Sequence, residues 1–290
     1  MTGLDQYTRT AEQAAATVIA AYSTSFGLAS RLLGGRVRRH IRNIYALVRV
    51  ADEVVDGPAA ESGADRDAVL AAVDALEAET LAAVASGFST NLIVHAFAHT
   101  ARSCGVTTEL ITPFFASMRT DVDVAQHDRG SHDRYVYGSA EVVGLMCLQV
   151  FVGADAPAGT VASDDLVHGA RRLGAAFQDV NFLRDRRDDA TRLGREYLDE
   201  SRGAVLDRVD ADLAAAAAVI PRLPADCRRA VAATHDLFAD LAHRLRDGDA
   251  AGGRVRVPNP TKALIALRAA TGAAPRVRRR RTAHHESSGT

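Results

Sequence analysis

A chain of 290 residues with 35 Lys and Arg against 36 Asp and Glu carries a net charge of −1, which leaves no global field to recruit nucleic acid; an anion site has to be built from a local arginine cluster. Hydrophobic residues make up 47% and aromatic residues only 5%, with no Trp, and the apolar content is mostly Ala, Leu and Val at helical spacing, so the chain reads as all-α and soluble. Cys104, Cys147 and Cys227 stand far apart without metal spacing, which argues against a disulfide framework and for a reducing cytoplasm.

Residues 1–10 lack the basic start and apolar block of a signal peptide. A first helix is expected over 7–21. The following stretch, Tyr22-Ser23-Thr24-Ser25-Phe26, has two readings: hydroxyls capping a helix boundary, or donors facing a phosphate. After Gly34-Gly35, the spacing of Val37, Ile41, Ile44, Tyr45 and Val48 predicts a helix that runs into Asp52 and Asp56 and stops at Gly57-Pro58. Tyr45, Arg49, Asp52 and Asp56 fall on one stripe of it. Two aspartates one turn apart weaken an isolated helix by roughly 0.2–0.5 kcal/mol, so a cation between carboxylates explains them better than helix stability does. An acidic pair alone is weak evidence, because 36 acids in 290 residues put one at roughly every eighth position.

Helices are expected over 64–86 and 90–104. The second carries His95 and His99 at i, i+4, a spacing open to zinc, but with no Glu after the first His a structural role is expected. Helices over 107–124 and 132–152 follow, the latter rich in Gly, Val, Leu and Met and suited to a core or an apolar tunnel. Its longest apolar block, 142–152, is too short for a bilayer span and is interrupted by Gln149. A long helix over 164–189 turns Leu166, Ala170, Leu173, Ala176, Phe177 and Val180 inward and aligns Gln178, Asn181, Asp185 and Asp189 along a polar stripe. Amides and acids on one edge of an otherwise apolar helix suggest a site inside a bundle. Helices over 211–220, 225–246 and 262–270 complete one helical domain over 1–272, and the Arg-rich segment 273–290 reads as a disordered basic tail, either solvated or in touch with anionic lipid.

Paired aspartates on two helices suit Mg2+, which binds through one or two carboxylates and a substrate's phosphates rather than in a protein cage. A diphosphate clamped this way becomes a leaving group, Arg49 and Arg184 can add bidentate donors, and the carbocation left behind needs a dry apolar cavity.

Ser23-Thr24-Ser25-Phe26, Ile44 to Arg49, Asp52 to Asp56, Tyr135-Val136-Tyr137-Gly138, Gln178 to Asp189 and Gly194-Arg195-Glu196-Tyr197-Leu198, in this order, resemble the squalene/phytoene synthase family, and within it most resemble bacterial phytoene synthases. The resemblance implies an isoprenoid synthase helical bundle around a central active-site cavity. It also implies C1-to-C1 condensation of two prenyl diphosphates with Mg2+, or Mn2+ in its place. Two geranylgeranyl diphosphates would give phytoene through a cyclopropylcarbinyl diphosphate and a final proton loss, with no NADPH. Carried over by motif position, Asp52, Asp56, Asp185 and Asp189 would bind metal. Ser23, Ser25, Phe26, Arg49, Gln178, Asn181, Arg184, Arg195 and Tyr197 would hold the diphosphates. Tyr45, Arg49, Tyr137 and Arg184 would serve the reacting carbons and leaving group. Glu53, Glu141, Asp179 and Phe182 depart from the commoner family pattern, the last two standing where Leu and Ile are usual, which puts the cavity's shape and chain-length preference in question. The other readings are a C30 synthase acting on two farnesyl diphosphates, a terpene cyclase and a non-catalytic scaffold that keeps the fold. Expected partners are prenyl diphosphates and no nucleic acid. The expected location is the cytoplasm, with peripheral contact at the inner membrane surface left open, as is the oligomeric state.

Overall fold

The computed structural model describes residues 1–23, 25–123, 129–192, 201–247 and 255–275, and among these every regular element is helical. In chain order they are α1 (Gly3–Tyr22), α2 (Ser25–Arg31), α3 (Gly35–Val55), α4 (Pro58–Glu61), α5 (Arg66–Ser86), α6 (Leu92–Cys104) and α7 (Thr108–Asp123). Then come α8 (Arg129–Val136), α9 (Val142–Gly153), α10 (Asp164–Arg192), α11 (Arg202–Val219), α12 (Ala225–Arg246) and α13 (Asn259–Ala270). The basic tail from Arg276 onward lies outside the described residues.

Local chemistry sets the ends of these helices. Thr2 and Asp5 form a reciprocal capping box at the start of α1, with bonds of 2.7 and 3.1 Å. Asp65 and Asn91 cap α5 and α6, which end at Gly87 and Gly105 in the left-handed conformation that releases the chain into its next turn. Helix α3 starts at Gly34, whose N–H donates to the Asp226 carbonyl at 2.7 Å; a Cβ there would lie 2.6 Å from the Asp226 Cβ, so only glycine allows this approach. Two residues on, Arg36 grips both Asp226 carboxylate oxygens at 2.8 and 3.0 Å and the Ala154 carbonyl at 2.7 Å. That guanidinium ties the start of α3 to α12 and to the end of α9.

The main core gathers Phe97, Phe114, Phe115, Ile44, Met118 and Met146, and a second core joins α10, α11 and α12 through Val180, Leu206, Val209 and Leu241. Each fully buried side chain of this size contributes about 1.5–3 kcal/mol. The helix expected over 132–152 differs from expectation in one respect. It begins at Arg129 and is broken by a π-helical turn over Tyr137–Glu141 that rotates the residues before it relative to α9. Glycines let this rod sit backbone to backbone on α10: a Cβ on Gly174 would come within 2.6 Å of the Ala140 carbonyl, and one on Gly144 within 2.9 Å of the Ala170 carbonyl. By length and composition Gly130–Gly153 is long enough to cross a membrane, beyond what the shorter apolar block suggests, but it is packed within the bundle against α3, α7 and α10. His95 bonds Thr8 at 2.9 Å, and His99 lies 3.7 Å from Glu12, so both serve the packing of α6 on α1.

Candidate active site

Between the two cores lies a cavity of about 750 Å³. Helix α3 forms one wall and α10 the other, and they are polar at the same end. On α3 the lining runs from Leu33, Ile41 and Ile44 just ahead of and along the helix to Tyr45, Arg49, Asp52 and Asp56 at its C-terminal end. On α10 it runs from Leu166, Gly169 and Leu173 to Gln178, Asn181 and Arg184. At 1.5 Å per residue, Leu166 and Arg184 are about 27 Å apart along the helix, enough for a long apolar chamber with a polar mouth.

The mouth carries negative charge in excess. Burial, with Asp56 and Asp121 adding to it, raises the Asp52 carboxyl to about 8, and among the described residues Arg49 acts in the opposite direction. Asp56 is the C-cap of α3, so both carboxylates sit at the end of a helix whose dipole is itself negative there. Every one of these terms is relieved by a cation, and the donors are hard oxygens, which suit Mg2+ or Mn2+. Among the described residues no three His, Cys, Asp or Glu side chains come together as a metal cage.

Arg49 is held from two sides. Its guanidinium pairs with Glu53 one turn on and lies over the Tyr22 ring, 4.7 Å from the centroid. Glu53, one of the departures from the commoner family pattern, thus fixes Arg49. Tyr45 lines the cavity, its hydroxyl bonds Ser23, and burial raises its pKa. The Ser23 hydroxyl therefore faces the site through Tyr45.

Of the other residues singled out in the sequence, Gln178, Asn181 and Arg184 reach the cavity. The side chains of Ser25, Phe26, Asp185 and Asp189, and the whole of Arg195 and Tyr197, lie outside the described residues. Tyr137 is not among the lining residues. Its ring packs under the Arg171 guanidinium, 5.3 Å away, and Arg171 is held by the buried Glu141 at 2.5 Å. Of this pair it is Tyr135, about 200° away around the helix, that lines the cavity, and its hydroxyl donates to Asp121 at 2.8 Å.

Tyr135 and Asp121 are the residues that sequence reasoning missed. Asp121 had a readable signal: Phe114, Met118 and Asp121 share one face of α7 at i, i+4 and i+7, and an acid on a core stripe needs a reason to be there.

Residues 19–202 match the family model described as squalene/phytoene synthase. A protein from Paracoccus sp. named 15-cis-phytoene synthase is 29% identical over 271 residues, covering 84% of this chain and 85% of that protein. A maize chloroplast protein named phytoene synthase 3 is 32% identical over 195 residues, covering 66% of this chain and 43% of that protein. A Staphylococcus haemolyticus protein named 4,4'-diapophytoene synthase is 29% identical over 183 residues, covering 62% of this chain and 59% of that protein. Among solved structures, a dehydrosqualene synthase superposes with a TM-score of 0.78 at 21% identity, covering 93% of this chain and 98% of that one. A squalene synthase from Alicyclobacillus acidocaldarius gives 0.71 at 20% identity, covering 83% and 95%. At such identities the structural matches speak for the fold, the terpenoid synthase helical bundle.

Proposed function

Because the chain belongs to the squalene/phytoene synthase family, a family of prenyltransferase-type enzymes, we propose that its cavity condenses two geranylgeranyl diphosphates through their C1 ends to phytoene. The observation that carries this reading is the chamber itself: Arg49, Asp52 and Asp56 of the first wall and Gln178, Asn181 and Arg184 of the second stand at one end, and the rest of the lining is mostly apolar. The relative named 15-cis-phytoene synthase covers 84% of this chain, against 62% for the one named 4,4'-diapophytoene synthase, which favours the longer substrate.

In this reading Asp52 and Asp56, with Asp185 and Asp189, would hold Mg2+, or Mn2+ in its place. The bound cation would supply charge stabilisation for a departing diphosphate. Arg49 and Arg184 bind the diphosphate oxygens bidentately and neutralise what the carboxylates would repel. Gln178 and Asn181 donate from the second wall. Tyr45 and Tyr135, which line the cavity, would stand beside the reacting carbons, where a π-system stabilises a cation without capturing it. The apolar walls exclude water, which would otherwise quench the allylic cation. The last step is a proton loss rather than a reduction, so NADPH is not needed. The enzyme works in the cytoplasm and touches the inner membrane surface to release a water-insoluble hydrocarbon.

The test is product analysis with purified protein, Mg2+ and either geranylgeranyl or farnesyl diphosphate, with and without NADPH. A C40 hydrocarbon made without NADPH is the expected result. A C30 hydrocarbon as sole product overturns the substrate choice, and no condensation from either substrate overturns the reading as a whole.

A further inference from the structure

Helix α8, the two turns ahead of the π-helical break, carries Tyr135 to the cavity, and the break leaves its setting relative to α9 to side-chain contacts. Those contacts centre on Asp179, which departs from the commoner family pattern. Asp179 on α10 is 2% exposed, and His132 on α8 is 3% exposed. The His132 Nε2 lies 3.3 Å from one Asp179 oxygen, and Arg208 of α11 donates its Nε–H to the other at 2.9 Å. Asp133 approaches the other imidazole nitrogen at 3.6 Å. One carboxylate on α10 thus bonds Arg208 of α11 and stands within ion-pair distance of the α8 imidazole, without a hydrogen bond between those two, behind the wall that presents Gln178 and Asn181.

Phe182 completes the connection. It stands one turn after Asp179 on the same side of α10, with its ring 5.6 Å from the His132 ring and 5.6 Å from the Tyr135 ring. Tyr135 in turn donates to Asp121. A leucine at 179, usual in the family pattern, would take the carboxylate away from both the Arg208 guanidinium and the His132 imidazole, and the buried imidazole would keep Asp133 at 3.6 Å as its acidic neighbour.

We infer that Asp179 is a positioning residue: through His132 it docks α8 on the second wall and thereby sets Tyr135 and Phe182 at the polar mouth. It touches no reacting atom, and its catalytic consequence rests on the head-to-head condensation proposed above. The arrangement also accounts for the joint occurrence of Asp179, Phe182 and His132 in one chain, since the phenyl ring packs against the imidazole that the carboxylate holds.

The experiment has two readouts on the full chain. Amide hydrogen exchange is measured in wild type, Asp179→Leu, Asp179→Asn and the double variant His132→Leu/Asp179→Leu, with α13 as the internal control. Asp179→Leu is expected to speed exchange across residues 129–136 at least tenfold and to leave α13 unchanged, with Asp179→Asn intermediate. The double variant removes both buried polar partners, so it should recover thermal stability without recovering the slow exchange of α8. Steady-state assays with geranylgeranyl diphosphate should show kcat lowered about tenfold in both leucine variants, KM within twofold, and more of the cyclopropylcarbinyl diphosphate released per hydrocarbon formed. Unchanged α8 exchange in Asp179→Leu, or a double variant with full kcat, overturns the inference. An inactive wild type would overturn the proposed function instead, and the exchange data would still decide whether Asp179 holds α8.

Discussion

Helix α3 contributes to two polar clusters. In its first half it offers His40 and Asn43 to α6: His40 Nδ1 is 3.0 Å from the Thr100 hydroxyl, and Asn43 Nδ2 donates to that hydroxyl at 3.0 Å and to the Ala96 carbonyl at 3.2 Å. Near its C-terminus it offers Arg49, Asp52 and Asp56 to the cavity. The first cluster is closed around its ring: burial, with Arg39 adding to it, lowers the His40 pKa to about 4, so the ring stays uncharged, bonded to Thr100 through one nitrogen and accepting from the Arg39 Nε–H at 3.3 Å through the other. The second holds carboxylates that repel one another with too little positive charge to balance them. A polar group that completes itself inside the protein builds the fold, whereas one left in electrostatic debt is waiting for a ligand.

The largest effect that sharpens this contrast is at Asp52. Asp52→Asn should lower turnover by about a thousandfold, given that a positioned charge of this kind contributes several kcal/mol to transition-state stabilisation. The same substitution should leave the fold as stable or more so at pH 8. The sign follows from linkage: the unfolded carboxyl titrates near 3.8 and the folded one near 8, so the folded state binds more protons between those values. Stability without divalent cations therefore falls as pH rises from about 4 to about 8, and Mg2+ should restore it. Thermal melts of wild type with and without Mg2+ at pH 5 and pH 8 read this directly. A variant that still needs Mg2+ for its pH 8 stability would remove Asp52 from the cation site.

Next in size is the comparison of two tyrosines. Tyr135→Phe should reduce kcat about tenfold to a hundredfold, because it removes the hydroxyl bond to Asp121 and loosens a ring that lines the cavity; Tyr137→Phe should cost less than threefold. The opposite ranking, measured in one assay, would place Tyr137 at the reacting carbons after all. Glu53→Gln should follow with about a fivefold loss in kcat/KM, since the amide still bonds Arg49 but no longer fixes it by charge.

These two tyrosines also mark the limit of what the sequence makes legible. The α3 stripe is readable because a helix is periodic: Tyr45, Arg49, Asp52 and Asp56 sit three or four residues apart, and the cavity contains all four. Gln178, Asn181 and Arg184 are readable for the same reason. Tyr135 and Tyr137 are two positions apart, so period alone puts one toward the cavity and one away without saying which. The choice is made by distant residues, Asp121 drawing one ring in while Arg171 and Glu141 hold the other out. The π-helical turn that follows depends on how closely Gly138, Gly144 and Gly174 let neighbouring backbones approach, which is a property of packing rather than of the local string.

The smallest expected effect on turnover comes from the closed cluster, where stability alone should move. His40 is 1% exposed and titrates near 4 when folded against 6.5 when free, so its contribution is complete above pH 6.5 and is lost as pH falls toward 4. The loss is on the order of 3 kcal/mol, taking 1.36 kcal/mol for each pH unit over that interval. His40→Gln keeps a donor toward Thr100 but cannot charge, so its denaturant midpoint should vary less between pH 7 and pH 4 than that of wild type. At pH 7 its kcat/KM should stay within twofold. If His40→Gln instead lowered kcat/KM tenfold with its midpoint intact, the two ends of α3 would be one functional unit, and the division between a closed cluster and a waiting one would fail.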